Sequence, residues 1–160
     1  MSWYAVQYKP AQGLRALENL EQQGVESYFP LIEVEQITRG KRRTRQEALF
    51  KGYLFIALDD DNPLWEKLRS TRGVARVVSF ANRPAPIADE VIDQIRQSLE
   101  IIEEQGGLKS GALLEVQDGP FRGLKAVFDR YDGEERAMIL IDFLQKQHRV
   151  SMPLKDVRSL

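Results

Sequence analysis

Apolar positions along the first hundred residues follow two periods. Residues 3–8 are aromatic and β-favouring and predict a strand. Leu14, Ala16, Leu17 and Leu20 then recur at helical spacing, and Gly24 follows as a stop, which predicts an amphipathic helix over residues 11–23. Residues 25–29 are apolar and aromatic and end at Pro30. Residues 33–38 alternate, with Ile32, Val34 and Gln36 on one face and Glu33, Glu35 and Ile37 on the other. A basic run, Arg39 to Arg45, falls where the tip of a hairpin is expected. Residues 48–58 return as one long apolar strand interrupted at Lys51-Gly52, and a glycine inside a strand marks a bulge or a close approach. A short helix is expected over 63–70, a strand over 74–80, a turn over 82–86 and a second amphipathic helix over 88–103, with Val91, Ile92, Ile95, Leu99 and Ile102 apolar. The order β-α-β-β-β-α-β-α suits an α+β sandwich with helices on one sheet.

A boundary follows. Residues 103–111 carry Gly106, Gly107, Lys109, Ser110 and Gly111 after a helix, so a linker is expected between a domain at 1–102 and a small unit at 112–160. That unit has two readings. With period two it gives strands at 113–116, 125–130, 136–141 and 148–152, with turns at Asp118-Gly119-Pro120 and Asp132-Gly133, which makes a small barrel. With helical period, Leu124, Val127, Phe128 and Tyr131 share a face, as do Met138, Ile141, Phe143 and Leu144 more loosely, and Asp132-Gly133 becomes the loop of a helical hairpin. Periodicity cannot choose between them for short apolar runs.

Composition narrows the chemistry. The chain has 160 residues, 42% hydrophobic and 29% charged, enough apolar content for a packed core. It has no cysteine, so a thiol nucleophile, a disulfide scaffold and a cysteine metal site are excluded. The single histidine, His148, sits in Gln147-His148-Arg149 without the companions of a catalytic base, and no zinc-protease, nucleophile-elbow or phosphate-loop motif occurs. Asp59, Asp60 and Asp61 lack the ligand spacing of a calcium loop. A non-enzymatic protein with no metal or cofactor is the expectation. Residues 1–10 lack the basic and apolar regions of a signal peptide and no run is long enough to span a bilayer, so a cytoplasmic protein without membrane contact is expected.

Net charge is only −1, but it is segregated: Arg39, Lys41, Arg42, Arg43 and Arg45 lie within seven residues. Such a cluster suits sequence-independent phosphate contacts. A second basic set is Arg69, Arg72 and Arg76. The segment Phe50-Lys51-Gly52-Tyr53-Leu54-Phe55 is either a buried strand or one face of an apolar groove for a partner helix.

These residues carry a resemblance. Trp3-Tyr4-Ala5-Val6, the helix after it, Gly52-Tyr53-Leu54-Phe55 and Arg72-Gly73-Val74 resemble the N-terminal domain of the NusG family of transcription elongation factors. Gly119-Pro120-Phe121-Arg122-Gly123 followed by Ala126-Val127-Phe128 resembles a KOW motif. Together they span nearly the whole chain. Within the family, Arg39-Gly40-Lys41-Arg42, Ser70-Thr71-Arg72-Gly73-Val74 and the stretch from Asp132 to Leu140 are similar to the specialised RfaH-type branch. Asn19 and Gln22 depart from that branch and leave the base preference open, and Leu64-Trp65-Glu66 departs from it toward the general NusG pattern.

The resemblance implies an α/β N-terminal sandwich with a small KOW domain. In the RfaH type that domain is a helical hairpin in the autoinhibited state and a five-stranded barrel when released. It implies binding to the clamp helices of the largest RNA polymerase subunit through Phe50, Tyr53, Phe55 and Phe80. It implies contact with the non-template DNA strand through Lys9, Gln12, Arg15, Asn19, Gln22, Gln23, Thr71 and Arg72. Arg39, Lys41, Arg42 and Arg43 match the basic hairpin, and Glu47 and Arg136 an interdomain ion pair. The implied activity is antitermination with reduced pausing by a monomer, with a small-subunit ribosomal protein as partner of the released domain. The alternatives are a general NusG-type factor with a free barrel, and a ribosome- or RNA-associated KOW protein.

Overall fold

The computed structural model describes residues 1–107, 121–130 and 132–151. In chain order the elements are β1 (Ser2–Tyr8), α1 (Gly13–Gln22), β2 (Glu26–Tyr28), β3 (Leu31–Thr38), β4 (Lys41–Ala48), β5 (Tyr53–Leu58), α2 (Trp65–Leu68), β6 (Val74–Val77), β7 (Ser79–Phe80), β8 (Arg83–Pro84), α3 (Asp89–Glu104), α4 (Arg122–Phe128) and α5 (Gly133–Ser151).

A four-stranded antiparallel sheet in the order β2-β5-β1-β6 organises the molecule. Its central strands are apolar on both faces. Tyr4 and Val6 of β1, with Leu54, Ile56 and Leu58 of β5, face a cluster closed by Ala16 and Leu20 of α1 and Leu68 of α2. Trp3 and Ala5, with Phe55 and Ala57, face a second cluster closed by Val91, Ile92, Ile95 and Leu99 of α3 and by α4 and α5. Helices therefore cover both faces of this one sheet. Alternation cannot reveal a strand that is buried on both sides.

Three expected elements differ in detail. The basic run is not confined to a tip: Lys41 to Ala48 forms β4, paired along its length with β3, and the turn is Arg39-Gly40 alone. Both turn residues have positive φ, 53° and 75°, the two-residue geometry whose twist matches antiparallel strands. The expected strand over 48–58 is two strands in different sheets, because Leu49 to Gly52 carries the chain across from β4 to β5. The strand over 74–80 breaks at Val78, whose N–H still donates to the Ala5 carbonyl at 2.8 Å, and Ser79–Phe80 then turns back on Arg83–Pro84.

Beyond α3 the described residues are helical. Leu124, Val127 and Phe128 form the buried side of α4; Tyr131 lies outside the described residues. On α5 the buried stripe is Arg136, Ala137, Leu140, Phe143 and Leu144, and Met138 points outward at 73% exposure. The expected face through Met138 is thus corrected by one position, since Ala137, Leu140 and Leu144 keep the i, i+3, i+7 rhythm that Met138 breaks. Of the strand reading, residues 125–130 and 136–141 fall mostly within α4 and α5, while 113–116, Met152, the turn at Asp118-Gly119-Pro120 and linker positions 108–111 lie outside the described residues.

Candidate partner-binding surfaces

The first surface is apolar and covered. Phe50 and Phe55 are fully buried, and Tyr53 and Phe80 are partly buried against the same cluster. Phe50 meets Phe55 edge-on, with ring centroids 5.7 Å apart. The cover is the C-terminal pair of helices: Leu124, Val127, Phe128, Leu140, Phe143 and Leu144 belong to this same cluster. Phe80 also packs against the His148 ring at 5.5 Å. The two helices are close-packed, since a Cβ on Gly123 would stand 2.7 Å from Phe143 Cδ2.

A polar seam borders this apolar contact. Arg136 is entirely buried. Its Nη2 lies 2.5 Å from Glu47 Oε1, Nε donates to the Leu49 carbonyl at 2.7 Å, and Nη1 donates to the Arg130 carbonyl at 3.0 Å. A buried guanidinium is tolerated only where its charge and donors are met, and here a carboxylate and two carbonyls meet them. The Lys51 N–H donates to the Gly133 carbonyl at 3.1 Å, and Lys51 Nζ lies 2.8 Å from Glu134 Oε1. That bond to Glu134 holds the Lys51 amine above its ordinary pKa. The loop from Leu49 to Lys51 therefore grips the start of α5 by main chain as well as by charge.

The second surface joins α1 to the loop before β6. Gly73 is the pivot. Its φ is +91°, and a Cβ there would sit 2.7 Å from the Ala16 backbone nitrogen, so only glycine lets the loop lie against α1. The Lys9 N–H donates to the Gly73 carbonyl at 2.8 Å. Asn19 Nδ2 donates to the carbonyls of Arg15 and Arg72, at 2.8 and 3.2 Å. Gln23 Nε2 donates to Thr71 Oγ1 at 3.0 Å, and that hydroxyl donates to the Lys67 carbonyl. Lys9, Arg15, Gln22 and Arg72 are exposed, Gln12, Asn19 and Gln23 are half-buried, and Thr71 is buried. All eight residues thus gather at one edge, but Thr71 turns inward and Asn19 spends its donors on the backbone.

The third surface is the β3–β4 hairpin. Arg39, Lys41, Arg42 and Arg43 are all exposed. Arg42 Nε lies 3.0 Å from Glu35 Oε1, and Arg45 Nη2 lies 3.2 Å from Glu47 Oε2.

The description "Transcription termination factor nusG" matches residues 1–96. The chain belongs to the NusG family. Its relatives named transcription termination/antitermination protein NusG include that of Yersinia pestis, 32% identical over 83% of this chain and 81% of that protein. The protein of Escherichia coli strain K12 is 31% identical over the same shares. That of Vibrio vulnificus is 29% identical over 99% of this chain and 95% of its own length. A solved structure titled "Domain interaction in Thermotoga maritima NusG" is 26% identical and covers 74% of this chain and 67% of that one, with a TM-score of 0.46.

The NusG match contains all three surfaces, while α4 and α5 lie beyond residue 96. No helix among the described residues is long and apolar enough to cross a membrane, and no group of three or more His, Asp or Glu among them could hold a metal ion. Sequence reasoning missed the Leu49 carbonyl, the Lys51–Glu134 bridge and Arg45 as a partner of Glu47. One signal was available. Arg136 sits on the apolar stripe of α5, and a charge on such a stripe needs a buried partner. Nothing in the sequence marks Lys51 as the neighbour of Glu134.

Proposed function

We propose that this chain is an RfaH-type elongation factor whose RNA polymerase-binding face is covered by its own C-terminal helices. Phe50, Tyr53, Phe55 and Phe80 form the face for the clamp helices of the largest polymerase subunit. Bridging the polymerase cleft favours the processive state and resists pausing and termination, a population shift with no bond made or broken. The observation that carries this reading is that Phe50 and Phe55 share one core with Leu124, Phe128, Leu140 and Phe143, sealed by Glu47 and Arg136. A partner helix and α4–α5 cannot occupy that face together.

Recruitment uses the edge formed by α1 and residues 70–73. Lys9, Arg15 and Arg72 hold phosphates of the displaced non-template strand, and Gln12, Gln22 and Gln23 present amides to base edges. Thr71 and Asn19 shape the loop that presents Arg72. The basic hairpin adds phosphate contacts through Arg39, Lys41, Arg42 and Arg43. Once released, residues 112–160 refold as a KOW barrel that contacts a small-subunit ribosomal protein and couples transcription to translation.

A second reading is a general NusG-type factor with its C-terminal unit free. The names of the curated relatives and Leu64-Trp65-Glu66 favour it. Circular dichroism separates the two. Under autoinhibition the intact chain has more helix than residues 1–107 and 110–160 measured apart and summed; equal helix removes the helical mask. Capture on an immobilised clamp-helix fragment tests the surface. Tyr53→Ala with Phe80→Ala abolishes binding if the face is right, and undiminished binding refutes it.

A further inference from the structure

We propose that the Lys41–Arg43–Arg45 face of β4 docks a nucleic-acid phosphate backbone, and that Arg45 relays its occupancy to the Glu47–Arg136 pair and so loosens α4 and α5. This rests on the autoinhibited reading above and adds to it a ligand-sensing route.

The two faces of the hairpin differ. Side chains two apart on a strand share a face, so Lys41, Arg43, Arg45 and Glu47 line up. Their cross-strand partners include Val34, opposite Arg45, and Ile32, opposite Glu47, both buried in the core under α3. This face therefore starts in the core and continues outward as an exposed basic stripe. On the opposite face Arg42 is paired with Glu35. Among the described residues no ion pair holds Lys41 or Arg43. Three cations spaced about 6.6 Å apart span about 13 Å, a length over which a duplex carries several phosphates.

The stripe ends on a shared carboxylate. Glu47 Oε2 takes Arg45 at 3.2 Å, and Oε1 takes Arg136 at 2.5 Å. A phosphate drawn to Arg45 lies on the outer side of Glu47, nearer the carboxylate than the buried guanidinium. It repels Glu47 more than it attracts Arg136, and it takes Arg45 from the carboxylate. Arg136 cannot follow, because Nε and Nη1 are held by Leu49 and Arg130. Linkage makes the effect reciprocal: releasing α5 raises the affinity of the stripe for nucleic acid.

Hydrogen exchange of residues 140–144 in the intact chain, with and without a short mixed-sequence DNA duplex at low salt, tests this. Saturating duplex is expected to speed exchange about five-fold, the low end of coupling between sites. Arg45→Gln binds duplex more weakly and shows no acceleration at saturation. Arg42→Gln, which removes a charge from the hairpin face away from Glu47, also weakens binding but keeps the acceleration at saturation. The proposal is overturned if duplex leaves the intact chain unchanged, if Arg45→Gln still accelerates, or if Arg42→Gln loses the effect equally. The same acceleration with polyglutamate would assign the stripe to an acidic protein and overturn the nucleic-acid assignment. Glu47→Gln without duplex separates the two ideas. If it loosens α5 while duplex does not, only the relay fails; if it does not, the pair is no lock and the relay has nothing to act on, while circular dichroism of the intact chain against its parts tests the mask itself.

Discussion

Replacing Glu47 by Gln keeps the shape of the side chain and removes its charge. Arg136 is wholly buried, and its Nη2 meets the Glu47 carboxylate. Deleting one member of a fully buried ion pair costs about 3–5 kcal/mol. Two features reduce that here. The Glu47 side chain is 21% exposed, so water screens part of the interaction. The amide oxygen of Gln can also still accept from Nη2. A cost of about 2 kcal/mol is therefore expected, close to a thirty-fold change in equilibrium. The cost falls on the closed arrangement, because the pair joins α5 to the base of the hairpin. Exchange of the α5 amides should accelerate about thirty-fold. Apparent affinity for a clamp-helix fragment should rise by about the same factor while the closed state still dominates, since only the open fraction binds. Exchange and affinity both within two-fold of the parent would refute the claim that this pair holds the mask. A lowered melting point for the whole chain with no change in clamp-helix affinity would show the pair serving global stability instead.

Three further outcomes follow from the same geometry. Leu140→Ala opens a cavity at a fully buried position in the cluster that holds Phe50 and Phe55, at about 2–5 kcal/mol; circular dichroism should lose helix before the sheet melts, and a single lowered transition with the helix intact contradicts this. Gly73→Ala forces a Cβ to 2.7 Å from the Ala16 nitrogen at a φ of +91°, costing about 1–3 kcal/mol, and should weaken single-strand DNA binding by displacing Arg72; fluorescence anisotropy with the hairpin intact checks it. Burial pushes Tyr4 and Tyr28 up to about 12, with Asp60 adding to the effect at Tyr4. Both raised values favour the neutral folded form, so their stabilisation is complete below pH ~10 and lost as pH rises toward 12. Tyr4→Phe and Tyr28→Phe should each remove a late-ionising component from an absorbance titration, and a titration whose late part is unchanged in both would contradict it.

Periodicity located α1 and α3 because each has a polar side to set against its apolar one, whereas β1 showed as an aromatic, β-favouring run buried on both faces. It failed at β4, where Lys41 to Gln46 offers no apolar alternation. That strand exists through its pairing with β3 and the Arg39-Gly40 turn, a non-local cause that leaves no local pattern. It also failed at the crossing from β4 to β5, where Ala48 to Leu58 is apolar apart from Lys51-Gly52 although Leu49 and Phe50 belong to the loop between two sheets. Of the surfaces, the aromatic positions and the basic run were visible as residue types. The inward turn of Thr71 was not, because Gln23 and Lys67 reach it only in the fold.

The ambiguity of residues 122–151 has a physical source. A helix as short as α4, seven residues, does not hold in water by its own propensity. Its Leu124, Val127 and Phe128 are buried in the cluster that also holds Phe50, Phe55 and Phe143. The longer α5 places a charged Arg136 in its apolar stripe, and that choice is favourable only beside Glu47 and the Leu49 carbonyl. The helical state of this segment is thus written partly in the N-terminal sheet and hairpin. Remove that face, and Arg136 loses its compensation while the apolar stripes of both helices turn to water. The period-two pattern of the same residues then has no helical competitor to outweigh it. Under the proposed autoinhibited reading, whatever competes for Phe50 and Phe55, or for Glu47, acts on the secondary structure of the C-terminal segment as well as on its position. This is why a polymerase helix on one side and a phosphate at Arg45 on the other should bias the same equilibrium.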